Sequence, residues 1–155
     1  MYILPSWNSL NSKNEHYNLI KPLVRMAYLD VEFYAKKYAD LAGLSDRELI
    51  HHYVEHGYRE GRLSWDYKVD PVFMRLKYSD LNNLSDQQIT DHYHNFGYGE
   101  GRLPYMPHLE KEFYLKTYGH ELALKGIGQS EEELHQHFVN AGYLELMFPY
   151  RFWCK

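Results

Sequence analysis

The sequence predicts an all-α protein, a compact array of three helix-pair repeats with an irregular N-terminal arm and an aromatic C-terminal tail. Three observations predict it. A block of residues recurs at a shift of forty, the second helix of every copy opens with the same capping box, and the apolar residues inside each copy keep helical spacing.

The recurrence is direct. When residues 30–63 are set against 70–103, half of the aligned positions are identical, among them Phe33/Phe73, Tyr38/Tyr78, Asp40/Asp80, Leu44/Leu84, His52/His92 and Tyr53/Tyr93. Gly-Tyr-x-Glu-Gly-Arg-Leu closes both copies, at Gly57–Leu63 and Gly97–Leu103. A weaker third copy begins with Glu112, Phe113, Tyr114 and Tyr118, takes five extra residues before Ser130, and resumes with His137, Phe138, Gly142, Tyr143 and Glu145. The expected organisation is an arm over 1–29, repeats over 30–69 and 70–109, and a divergent repeat with a tail over 110–155, all in one cooperative domain.

Within each copy, Asp30 and Asp70 are expected N-caps, and Pro71 takes the first helical position, where its missing N–H costs nothing. Phe33, Tyr34, Tyr38 and Leu41, repeated as Phe73, Met74, Tyr78 and Leu81, fall within one arc of a helix. Ser45-x-x-Glu48, Ser85-x-x-Gln88 and Ser130-x-x-Glu133 are capping boxes. Leu49/Tyr53/His56, Ile89/Tyr93/Phe96 and Leu134/Phe138/Ala141 come next at i, i+4, i+7 and predict one buried stripe per copy. Gly57, Gly97 and Gly142 then stand where a left-handed C′ residue ends a helix.

The pattern F-Y-x-x-x-Y-x-D-L … L-S-x-x-E-L … H-Y-x-x-x-G-x-x-E-G-R resembles a short helical repeat of bacterial, phage and large-virus proteins, often found beside glycosyltransferase domains. It covers residues 30 to about 149, and the third copy departs from it, with Leu146 and Met147 in place of the Gly-Arg pair. The resemblance implies a helical accessory module and no particular reaction.

Composition narrows the function classes. The net charge of −4 gives no general affinity for nucleic acid, which needs clustered Lys and Arg. Cys154 is the single cysteine, so an internal disulfide framework and a Cys-based zinc site are excluded. No apolar run is long enough for membrane insertion, and the N-terminal residues do not read as a signal peptide, so an intracellular site or a virus particle is expected. Sixteen tyrosines and three tryptophans supply large buried area with a polar handle.

Candidate chemistry reads as structure. His52 and His56 are four apart and could face one ion, but His92 and His137 repeat His52 whereas Phe96 and Ala141 replace His56. A side chain needed by every unit serves the unit's fold, here as an imidazole bonded to a carbonyl or a neighbouring tyrosine. Glu60 with Arg62 and Glu100 with Arg102 are read as charge-assisted bonds closing the turn. No catalytic residue, metal site or cofactor is assigned.

Unique function is expected where the copies differ. The arm, with Trp7, and the tail, with Leu146, Met147, Phe148, Tyr150, Phe152 and Trp153, are candidate partner-binding residues, or else covers for the ends of the stack. The expected function is a non-enzymatic structural or protein–protein interaction module, a component of a larger assembly such as a virus particle, with a protein partner or self-association. The alternative is a carbohydrate-associated module of surface-polysaccharide systems, with a glycan as ligand.

Overall fold

The computed structural model describes residues 4–7 and 17–150. Among the described residues the chain is all-helical, with three helix-pair repeats. It divides into two compact units, one built from Ile3–Tyr105, which holds the first two repeats, and one from Met106–Lys155, which holds the third.

Helix α1 spans Tyr17–Met26, so the arm is not wholly irregular. Pro22 inside it and the Asn- and Ser-rich residues before it mask the helical pattern in the sequence. Val24 is buried, and Lys21 pairs with Glu55 at 2.5 Å. Repeat 1 comprises α2 (Val31–Lys37) and α3 (Asp46–His52), and repeat 2 comprises α4 (Pro71–Lys77) and α5 (Asp86–His92). Asp30 and Asp70 accept the orphan N–H groups of the first turns, as their positions predict. The first helix of each pair stops at Tyr38 or Tyr78, which turn to extended backbone before a short 3₁₀ turn. In repeat 3 the inserted residues carry α6 (Lys111–Leu124) straight through this point, and α7 (Glu131–His137) comes after it. All three second helices begin with the expected capping box.

Each second helix ends in a π-helical turn, at Tyr53–Gly57, Tyr93–Gly97 and Phe138–Gly142. The i→i+5 bonds run from the N–H groups of Tyr58, Tyr98 and Tyr143 to the carbonyls of Tyr53, Tyr93 and Phe138 at 2.8–3.1 Å. One extra residue in the turn rotates every later position about the helix axis, and this corrects the expected stripe. Leu49 and Tyr53, Ile89 and Tyr93, and Leu134 and Phe138 are buried as expected, but the next inward position belongs to Gly57, Gly97 and Gly142. His56 and Phe96 point outward, and Ala141 is only half-buried.

The glycine reading is corrected with it. Gly57, Gly97 and Gly142 are not left-handed; the positive φ falls four residues later, at Gly61 (72°), Gly101 (76°) and Leu146 (60°). Gly57 and Gly142 are required by close approach instead. A Cβ on Gly57 would fall on the Tyr34 hydroxyl, and one on Gly142 would lie 2.5 Å from that of Tyr114.

Every repeat then closes on itself. The amide of Asp30 donates to the Ser64 carbonyl at 2.9 Å, that of Asp70 to Pro104 at 2.8 Å, and that of Glu110 to Pro149 at 2.8 Å. Edge-on aromatic pairs line each core, with Tyr34 against Tyr53 and Tyr114 against Phe138, both at interplanar angles of 86°. Such pairs add about 0.5–1.5 kcal/mol beyond the area they bury.

Candidate interaction surface

The signature residues form a structural kit. In repeat 1 the Tyr34 hydroxyl lies 3.1 Å from His52 Nδ1, beneath the π turn. Burial lowers the tendency of His52 to protonate and raises the pKa of Tyr34. Arg62 holds both carboxylate oxygens of Asp40, at 3.0 and 2.8 Å, and takes Glu60 through Nε at 2.6 Å. Its guanidinium lies 4.8 Å over the Tyr38 ring, whose hydroxyl accepts the Leu63 amide. The hydrogen bond from Arg62 holds the Asp40 carboxyl below its usual value. Repeat 2 reproduces the clasp with Arg102, Asp80, Glu100, Tyr78 and Leu103.

Repeat 3 solves the same problem without the arginine. His137 Nδ1 is 3.1 Å from the Tyr114 hydroxyl, which also donates to Met147 Sδ at 3.3 Å. Met147, in the place of Arg62, is buried, and Leu146 is half-buried at the left-handed position of Gly61. The Phe148 amide donates to the Tyr118 hydroxyl as Leu63 does to Tyr38. Tyr150 lies 6.4 Å from the His108 ring. Leu63-Ser64-Trp65, Leu103-Pro104-Tyr105 and Phe148-Pro149-Tyr150 are therefore three versions of one closing segment. Leu146, Met147, Phe148 and Tyr150, expected as partner-binding residues or as a cover for the stack, take part in this closing segment; Phe152 and Trp153 lie outside the described residues.

Trp7 packs edge-on against Tyr58 at 6.5 Å. Its neighbours tie the arm to both repeats of the larger unit. The Pro5 carbonyl accepts from Tyr58 Oη at 2.7 Å, and Ser6 Oγ donates to the Gly99 carbonyl at 3.1 Å.

Repeat 2 breaks the kit's own rules. Met74 stands where Tyr34 and Tyr114 stand, so His92 Nδ1 is buried without a partner. Ser64, which serves the Tyr53 hydroxyl, becomes Pro104, and the fully buried Tyr93 hydroxyl is left unpaired. On the outside of α4, Val72 and Leu76 are 64% and 85% exposed, where repeats 1 and 3 carry Glu32/Lys36 and Glu112/Lys116. Phe96, 62% exposed beside His92, is a further apolar group on the surface of this repeat. The outward face of α4 is not flagged by periodicity, and only comparison of the three copies reveals it.

Among the described residues no group of three His, Cys, Asp or Glu side chains could hold a metal ion, and no helix is long and apolar enough to cross a membrane. A polar cleft of about 420 Å³ lies where repeat 1 meets repeat 2, lined by Lys37, Tyr38, Glu60, Arg62, His94 and Asn95 among others. Compared with known protein families, curated proteins and solved structures, the chain shows no match.

Proposed function

We propose that the chain is a non-enzymatic protein–protein interaction module, a component of a larger assembly such as a virus particle, with repeat 2 presenting the contact. The observation that carries this is the apolar pair Val72 and Leu76, one helical turn apart on α4, at positions that are Glu and Lys in the other two repeats. Two such side chains in water have no role in their own repeat, because the same positions in its sister repeats are charged. They are anchors rather than a whole interface, which buries about 800 Å² per partner. The resemblance to a helical repeat of large-virus and phage proteins supports the assembly context. The carbohydrate alternative needs an aromatic face open to a sugar ring. In the polar cleft the Tyr38 ring is covered by Arg62, and the exposed Phe96 is not among the residues that line it, so the protein reading is preferred.

The test restores the repeat's own consensus. The Val72→Glu/Leu76→Lys variant keeps the helix and its mean polarity matches that of repeat 1. The wild-type chain should self-associate in sedimentation velocity, or retain a protein partner from its native source, and the variant should do neither while melting as the wild type does. Equal association and equal partner recovery for the two chains would overturn the proposal.

A further inference from the structure

We infer that repeat 3 carries an acid-sensitive latch: proton uptake at His137 releases Tyr114 from the π turn and opens the third repeat ahead of repeats 1 and 2. The geometry supplies the reason. His137 is only 7% exposed, its Nδ1 is committed to the Tyr114 hydroxyl, and its Nε2 is buried without a hydrogen-bond partner. An imidazolium must carry a proton on both nitrogens, and here the second proton would face no acceptor. The Tyr114 hydroxyl is wedged over Gly142 and bonded to Met147, so the imidazole, the π turn and the closing segment share one contact point.

The charged groups around the ring do not rescue the cation. Lys125 opposes it, and Glu145 and Glu121 favour it, but both carboxylates are already bridged by Lys125, at 2.9 and 2.8 Å. Burial is the largest influence, and it holds His137 below its ordinary value near 6.5. A histidine kept neutral by folding leaves stability intact above its unfolded pKa and removes it as pH falls toward the lower folded value. The sister repeats act as internal controls. His52 makes the same tyrosine bond but is less buried, with Glu60 and Asp40, both held by Arg62, favouring its cation and Arg62 and His56 opposing it. His92 also has a buried nitrogen without a partner, its Nδ1, but it has no tyrosine to release, and its Nε2 lies 4.0 Å from Glu100. Opening would uncover Tyr114, Phe138 and Met147, all buried in the closed repeat.

Hydrogen exchange of the full chain, monitored by mass spectrometry and corrected for the intrinsic pH dependence, tests this. Between pH 6.5 and 5.5 the opening of segments within 111–147 should rise by up to about tenfold, the limit for one proton, with no matching rise in 30–63. In the His137→Gln variant, which can still bond Tyr114 but cannot titrate in this range, the step should vanish. A step that survives in His137→Gln, or one of equal size in all three repeats, would overturn the inference. If His137→Gln does not fold, the ring signals of wild-type His137 decide. Titration at or above pH 6.5 with protection unchanged would overturn it, and titration only together with loss of protection would support it.

Discussion

The Tyr34 hydroxyl occupies the space that a Cβ on Gly57 would need, and the same relationship joins Tyr114 to Gly142. In repeat 2, with Met74 in the tyrosine's place, the nearest obstacle to a Cβ on Gly97 is the ring of Tyr93 at 3.1 Å. Gly57→Ala and Gly142→Ala should therefore each cost about 1–3 kcal/mol by overpacking. Gly97→Ala should be far milder, because the helix gains about 1 kcal/mol from alanine over glycine. Denaturant unfolding of the three variants checks this, and equal losses would refute it.

The two buried tyrosines of the second helices should respond oppositely to loss of their hydroxyls. Tyr53→Phe breaks the bond with Ser64 and should cost about 1 kcal/mol. Tyr93→Phe removes a buried hydroxyl that has no partner, and should be neutral or stabilising. Phe138 with Pro149 already shows the matched apolar solution in repeat 3. Thermal melts of the two variants, run side by side, give the comparison.

Ser45→Ala and Ser85→Ala each remove the acceptor for the N3 amide at the start of a second helix. A loss of about 1 kcal/mol is expected for each. Unchanged melting midpoints would mean that tertiary packing alone sets these helix starts.

The Asp40–Arg62 clasp should show in acid. Arg62 holds the Asp40 carboxyl below its usual value, so its stabilisation is present at neutral pH and is lost as pH falls through that lowered value. Asp40→Asn should melt below the wild type at pH 7 and approach it as pH falls below the usual aspartate value of about 3.9. A gap that persists unchanged in strong acid would assign the effect to packing of the Arg62 stem on Tyr38.

The features legible in the sequence and those hidden from it have a common physical origin. Caps, boxes and the first turns of each helix are legible because they depend on residues within four positions of one another, such as Ser45 and Glu48. Periodicity at 3.6 residues locates Leu49 and Tyr53 inside but misplaces His56 and Phe96, because a π turn adds one residue and nothing local in the sequence announces it. The role of Gly57 is hidden for a related reason. Its neighbour Tyr34 is distant in sequence, and a glycine needed for approach looks the same as one needed for a left-handed turn. The closing segment of repeat 3 reads as a break in the pattern since Met147 shares no chemistry with Arg62, although both occupy the same place beside the tyrosine pair.

The amide-to-carbonyl bond that joins the start of each repeat to its end, Asp30 to Ser64 and Asp70 to Pro104, has an evolutionary corollary. A unit whose backbone is sealed at its own boundary can be copied or deleted as a single cassette, since the cut falls in the short spacers 65–69 and 105–109 and severs none of these seals. Such a gene can lengthen by tandem duplication, and a spare copy can drift. The middle copy, with its unpaired Tyr93 hydroxyl and its bared Val72 and Leu76, shows such departures where repeat 1 keeps Ser64 and a charged helix surface.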